Sequence, residues 1–407
     1  MVSLVMLAIM VGCAALLYLK GTLVQGVVLI FNALFAGFAA LGFFEPLARF
    51  LIKYSPGIAV WAPMICFLLL FILIFAVLEA MAMQFGKEKA DLGLWPERIG
   101  RVLCGILLGY IVTGHLLVAL ATVPYPLFNK YPYERFAERN PNPANPNKPF
   151  LSPDGFVTGL FGKISQGSFR AISSPRSFAV LRADFLDQLY LNRLKLAQDV
   201  SLTTTIPAIT VEKGHVWYAP DSLRDTEGKP VSAQPGENLM LVRMGIKNRA
   251  IKDAATFTLS QVRLVCSPKT DSENPLIGQG QSVYPVGYIG ADSRLERKSL
   301  AEILTMEASG KSGDSQTIDL AFSVPMNMAA TVIEFKLNNA VQLPAPASGE
   351  EAPALLPFGS AAKAPQAKSQ TQDEQTRPAT ERKPDGGREQ RGLSDVSESI
   401  IGPLDEE

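Results

Sequence analysis

The sequence predicts an α-helical membrane domain of four transmembrane helices, followed by an all-β sandwich domain and a disordered C-terminal tail. Three observations predict it. Residues 1–123 carry only 12 of the 76 charges and 4 of the 29 prolines. That region holds four stretches near the roughly 20 apolar residues a span requires. Between Thr204 and Pro344 the apolar spacing shifts to period two. Across 407 residues, Lys+Arg 38 and Asp+Glu 38 cancel. No basic excess exists to track phosphates, which counts against a nucleic-acid binder.

The first apolar stretch runs from Val2 to Leu19 and ends at Lys20. A signal peptide is its competing reading. The charge follows the apolar run, and three further spans come after it, which favours a span. The second covers about Thr22 to Phe44, the third Ile58 to Met83, and the fourth Ile99 to Val123, closed by Pro124 and Pro126. The first and third turns hold Lys20, Lys87, Lys89, Arg98 and Arg101, against Arg49 and Lys53 in the second. This bias puts the first and third turns in the cytoplasm and everything after Val123 outside. The amphipathic piece Glu45–Tyr54 is expected to lie at the membrane interface.

Small residues recur at packing spacing: Gly105 with Gly109, and Ala33 with Gly37. Polar residues inside the spans are Gln25, Asn32, Glu79, Thr113 and His115. Gln25 and Glu79 sit near span ends, within reach of the interface. Asn32 and His115 are deep, and are the candidate intramembrane contacts. An interhelical hydrogen bond is the simpler role for both, and a transport path is the alternative. No charged ring or pair of broken helices marks a conventional channel.

With Lys20-Gly21 and Gly26 in LYLKGTLVQGVVLIFNALFAGFAA, and a short amphipathic piece after span two, this half resembles the CvpA (colicin V production) family of bacterial inner-membrane proteins. The resemblance covers about the first 125 residues. It implies a cell inner-membrane protein associated with toxin or solute export and envelope homeostasis. The acidic residue usual early in that family's first span is absent between Met1 and Leu19.

Residues 124–150 form a Pro/Asn-rich linker, extended because so many prolines forbid a helix. Its Tyr125, Tyr131 and Tyr133 are placed to sit at headgroup level. A helical connector follows over 151–203. Ser152-Pro153-Asp154 reads as N-cap, first helical residue and dipole-matched acid, with Phe156, Leu160 and Ile164 on one face. A second helix is expected from Ser174-Pro175, with a stripe of Phe178, Leu181, Phe185, Leu189 and Leu196.

The sandwich is expected over 204–344. Its clearest strand alternates Ile318, Leu320, Phe322 and Val324, and another alternates Met240, Val242, Met244 and Ile246. Phe257–Cys266 and a closing Phe335–Leu343 strand continue the theme. The strand ending at Val324-Pro325 and the closing strand are similar to Ig-like modules of bacterial envelope proteins. Cys266 is the only cysteine there, so no internal disulfide can form.

Some CvpA relatives carry a serine protease, so catalytic groups matter. His215, Asp253 and Ser315 occur in a triad order. However, Gln316 and Thr317 replace the glycines that shape an oxyanion hole in a Gly-Asp-Ser-Gly-Gly motif. Ser165 misses a G-x-S-x-G elbow by one position. The two histidines and four cysteines are scattered, which argues against a metal site, and no cofactor motif is present. Residues 345–407 hold 7 basic and 12 acidic residues among Ala, Pro, Gln and Ser, the composition of a disordered tail. The functional expectation is a non-catalytic envelope scaffold or export accessory. Its partners would be the lipid bilayer and a protein, or a second copy within the membrane. A transport component and a membrane-anchored serine hydrolase are the rivals.

Overall fold

The computed structural model describes residues 2–55, 58, 61–85, 93–123, 132–137, 139–166, 178–194, 200–204, 207–250, 254–269, 279–306, 315–347 and 351–358. Four long apolar helices come first: α1 (Val2–Lys20), α2 (Leu23–Tyr54), α3 (Ala62–Phe85) and α4 (Leu94–Ala121). All four are long and apolar enough to cross a membrane. The most apolar windows of α1 and α3 are each only 11% buried. So much exposed Leu, Ile and Val points to a membrane protein, because water would not tolerate it.

Glycine spacing sets how the helices meet. α1 packs antiparallel to α4, where a Cβ at Gly105 or Gly109 would lie 2.4 or 2.6 Å from the Cα of Ala14 or Met10. Leu23 N–H, at the start of α2, donates to Glu97 Oε1 near the start of α4 (2.9 Å). Lys20, Arg98 and Arg101 therefore gather at one end of the bundle.

α2 has 32 residues, about 48 Å at 1.5 Å per residue. The expected separate interfacial segment Glu45–Tyr54 is instead the continuation of α2 through Pro46. Its apolar side explains this. Ala48 is buried among the other helices, with Leu47, Leu51 and Ile52 packed beside it. Phe50, on the same stretch, stays exposed.

The connector holds α5 (Pro153–Ser165), α6 (Phe178–Leu181) and α7 (Phe185–Leu191). The single helix expected from Ser174 is thus two short ones, split at a turn where Asp184 has φ 55°; Ser174, Pro175 and Leu196 lie outside the described residues. α5 buries Val157, Phe161 and Ser165, while Phe156 of the expected stripe faces outward. Ser152 takes φ 43° and makes no capping bond. Asp154 instead accepts the Gly155 N–H (2.8 Å).

Among the described residues twelve strands follow: β1 (Ile209–Thr210), β2 (Val216–Tyr218), β3 (Glu237–Lys247), β4 (Thr256–Thr258), β5 (Val262–Pro268), β6 (Gln281–Val283), β7 (Pro285–Ile289), β8 (Leu295–Arg297), β9 (Ile303–Thr305), β10 (Ser315–Pro325), β11 (Met328–Phe335) and β12 (Asn339–Gln342). They build antiparallel sheets. A six-stranded sheet has the order β1-β3-β10-β7-β8, with β2 also on β3; a four-stranded sheet has the order β12-β11-β5-β6; β4 pairs β9. Met240, Val242, Met244 and Ile246 of β3 share one core with Ile318, Leu320, Phe322 and Val324 of β10. Leu264, Cys266, Ile333 and Phe335 of the smaller sheet complete it.

Three expectations change here. The Phe257–Cys266 run is interrupted by a tight turn at Leu259–Gln261 between β4 and β5, held by a capping box at Thr258. The closing strand is a hairpin, because Lys336 and Leu337 adopt φ 48° and 61°. Residues 351–358, assigned to the tail by composition, lie on the outer face of the six-stranded sheet. Arg243 and Asp319 face each other across β3 and β10. Arg243 Nη2 donates to the Ala354 carbonyl (2.6 Å), and Leu356 N–H donates to Asp319 Oδ2 (2.8 Å). Hydrogen bonds to its backbone hold the segment there, and Ala352 and Leu355 pack against the cluster of Trp217 and Leu241. Residues 359–407 lie outside the described residues.

Candidate functional site at the helix and sheet junction

The alternation that sends Ile333 and Leu264 into the core turns Glu334 and Arg263 to the opposite face of the smaller sheet, where they pair across β11 and β5. That face does not meet water. Val265 and Val332 pack against Val180 of α6. Arg263 Nε donates to Glu334 Oε2 (3.0 Å), and its Nη1 donates to Ser282 Oγ (2.7 Å).

Arg182, in the turn between α6 and α7, completes the junction. Its Nε and Nη2 form a fork on Glu45 of α2 (2.8 and 2.9 Å). Its Nη1 donates to Glu334 Oε1 (2.7 Å). Glu45, Arg182, Glu334 and Arg263 thus form a chain of alternating charge from the long apolar helix to the sheet. Burial pushes the Glu334 carboxyl up, but the guanidiniums of Arg182 and Arg263 outweigh it and hold that group below its ordinary range. A second polar cluster braces the connector. Tyr133 donates to Asp154, Arg135 Nη1 donates to the Tyr133 hydroxyl (2.9 Å), and Arg135 pairs with Asp187. Tyr133 therefore turns its hydroxyl toward the protein. Tyr125 and Tyr131 lie outside the described residues.

The intramembrane candidates occupy two separate places. Asn32 Nδ2 donates to Glu79 Oε2 on α3 (3.0 Å). Asn32 is nine residues beyond Leu23, about 14 Å along the axis. Glu79, half-buried and six residues before the end of α3, is thus paired with a residue of α2. His115 Nδ1 donates to the Ile111 carbonyl (2.9 Å), and the ring stacks 5.0 Å from Phe71. Its Nε2 is buried without a hydrogen-bond partner among the described residues and abuts Gly37, where an added Cβ would lie 1.7 Å away. Ala33 is also fully buried. Asn32 and Gly37 are five residues apart on α2, about 140° around the helix. Asn32 and His115 therefore meet different partners.

The triad candidates are not assembled. Val216, beside His215, pairs with Val242, whereas Ser315 pairs with Lys247. Five residues along β3 separate those positions by about 17 Å. Asp253 lies outside the described residues. Ser165 Oγ is occupied, donating to the Gly162 carbonyl (2.8 Å) and accepting from Ala179 N–H (3.0 Å). Burial pushes the Cys266 thiol up to about 12, disfavouring the nucleophilic thiolate. Among the described residues no group of three or more His, Cys, Asp or Glu is placed to hold a metal ion.

No protein-family model, curated protein or solved structure matches this chain.

Glu45, Arg182, Arg263 and Glu334 escaped the sequence reading. Strand alternation marks Arg263 and Glu334 as outward-facing, which reads as solvated. Arg182 meets Glu45 and Glu334 across 137 and 152 residues, a separation at which no local pattern identifies a partner.

Proposed function

We propose that this chain is a CvpA-like inner-membrane protein acting as a non-catalytic envelope scaffold or export accessory, with its β region outside the cytoplasmic membrane. One observation carries the reading: the Glu45–Arg182–Glu334–Arg263 chain, buried except at Glu45, ties the apolar bundle to the sheet. Such a joint suits a protein that presents a fixed surface to a partner, because motion between the two parts would strand buried charges. The Lys20, Arg98 and Arg101 end lies away from the sheets, in keeping with the positive-inside rule. The β region is read as an Ig-like module, supported by two antiparallel sheets over one core.

In-cell crosslinking from the exposed sheet face, followed by identification of the captured species, tests the scaffold role. A defined protein partner is expected. Measured turnover that disappears when one side chain of this chain is removed would overturn the reading, as would labelling of Ser315 by an activity-based serine probe. A reporter fused after Val123 that behaves as cytoplasmic would overturn the geography. A second reading, a transport component, is favoured by the Glu79 carboxylate held on Asn32 within the bundle. Liposome flux unchanged by Glu79→Gln, Asn32→Ala and His115→Ala would remove it.

A further inference from the structure

We propose that the turn at Pro149–Ser152 and the first half of α5 are embedded in lipid beside α4, forming a re-entrant wedge on the β-region side of the bilayer. The inference rests on the reading of α1–α4 as membrane spans.

Depth is the first argument. The Tyr110 hydroxyl donates to the Leu151 carbonyl (2.8 Å). Tyr110 lies eleven residues before Ala121, where the apolar helix α4 ends, so its Cα is about 16 Å below that end. A Cβ on Gly114 would lie 2.4 Å from the Pro153 carbonyl oxygen, placing α5's first residue about 10 Å below the same point. A hydrocarbon core is about 30 Å thick. When Ala121 is at the surface, the turn sits well within the near leaflet.

Surface chemistry is the second. Phe150, Leu151 and Phe156 are 63%, 58% and 42% exposed. Phe156 touches the Tyr110 ring (5.4 Å) and is otherwise open, and the three lie beside α4, whose Leu103 and Ile106 are also exposed. The outward face of α5 then runs through Gly159 to the exposed Lys163. Lys163 is ten residues beyond Pro153, a rise of up to about 15 Å. The first charge on that face therefore appears where the helix can regain the headgroups. Lys148, just before the turn, has a stem long enough to snorkel.

Backbone accounting is the third. Non-helical backbone at membrane depth needs its polar groups satisfied within the protein. Pro149 and Pro153 have no N–H to satisfy. Ser152 N–H donates to the Pro149 carbonyl (2.9 Å), Phe156 N–H donates to the Ser152 carbonyl (2.9 Å), and the Tyr110 hydroxyl satisfies the Leu151 carbonyl, which leaves the Phe150 and Leu151 N–H groups in the middle of the turn as those without a partner among the described residues.

The test uses nitroxide labels in liposomes at Leu151→Cys, Phe156→Cys, Leu103→Cys and Lys163→Cys, in a chain whose four native cysteines are replaced by alanine. Collisions with oxygen report lipid, and collisions with a water-soluble nickel chelate report water. Positions 151 and 156 are expected to match 103, with high oxygen and low nickel access, while 163 is nickel-accessible. Nickel access at 151 and 156 equal to that at 163, with 103 still protected, overturns the wedge and leaves the spans standing. Nickel access at 103 as well would bring down the membrane reading itself. Low access to both reagents at 151 and 156 means protein covers them, and also overturns the proposal. The unmodified chain provides a second measurement: a photoreactive lipid in the same vesicles should label the 150–163 peptide, and absence of label there beside label on α4 refutes the wedge.

Discussion

Replacing Gly37 with alanine puts a methyl group 1.7 Å from Nε2 of His115. Ordinary contact needs about 3.5 Å, so something must yield by about 1.8 Å. The ring is poorly placed to yield. Its Nδ1 holds the Ile111 carbonyl, and its faces lie against Phe71 and Phe67. Swinging it out gives up a hydrogen bond of about 1 kcal/mol and ring contacts of about 1 kcal/mol. Separating α2 from α4 instead incurs an overpacking cost of about 1–3 kcal/mol. Either route predicts a loss near 2 kcal/mol, roughly 30-fold in the folding equilibrium. His115→Ala should also destabilise, through the cavity it leaves. The Gly37→Ala/His115→Ala double variant should lose less than the sum of the singles by about 2 kcal/mol, since the clash has gone. Reversible unfolding in mixed micelles, with all four proteins compared, measures this coupling. Additivity within about 0.5 kcal/mol would show that the two residues do not meet as described.

Arg182→Met leaves Glu45 without its fork and Glu334 with Arg263 alone. The cost should be about 3 kcal/mol, the low end for a broken buried pair, and calorimetry should show the β region melting apart from the helices. The junction should also weaken in acid. Glu334 has a folded-state value below its unfolded one, so its contribution is complete above about pH 4.3 and is lost as pH falls through the folded value. Unfolding midpoints measured from pH 7 downward should fall more steeply for the native chain than for Glu334→Gln, and parallel curves would contradict the pairing. Gly109→Val meets main-chain atoms of Met10, which no rotamer change relieves, so it should cost about 2–3 kcal/mol. Gly159→Val, where an added Cβ meets nothing within 4 Å, should be neutral or stabilising in the same unfolding assay.

Much of the architecture was legible from local pattern. The four helices follow from unbroken apolar runs, which fold only where the backbone satisfies itself. β3 and β10 follow from period-two alternation, and their inward residues are the ones read from sequence. The small residues Gly105 and Gly109 could be singled out because close helix approach has a spacing of its own. The continuation of α2 past Pro46 could not, because cover for its last turns comes from distant segments of the chain. Nor could the break at Asp184, the hairpin at Lys336, or the docking of residues 351–358. In each case non-local contacts override composition or periodicity.

By itself the sequence determined which segments are apolar enough for lipid and which alternate as strands, since both are properties of neighbouring residues. Only the tertiary structure decided which charges are paired and with whom. Glu79 reads as unpartnered and Glu334 as solvated until Asn32 and Arg182 are brought to them. A charge's environment is set by what folds against it, and those partners lie 47 and 152 residues away in the chain.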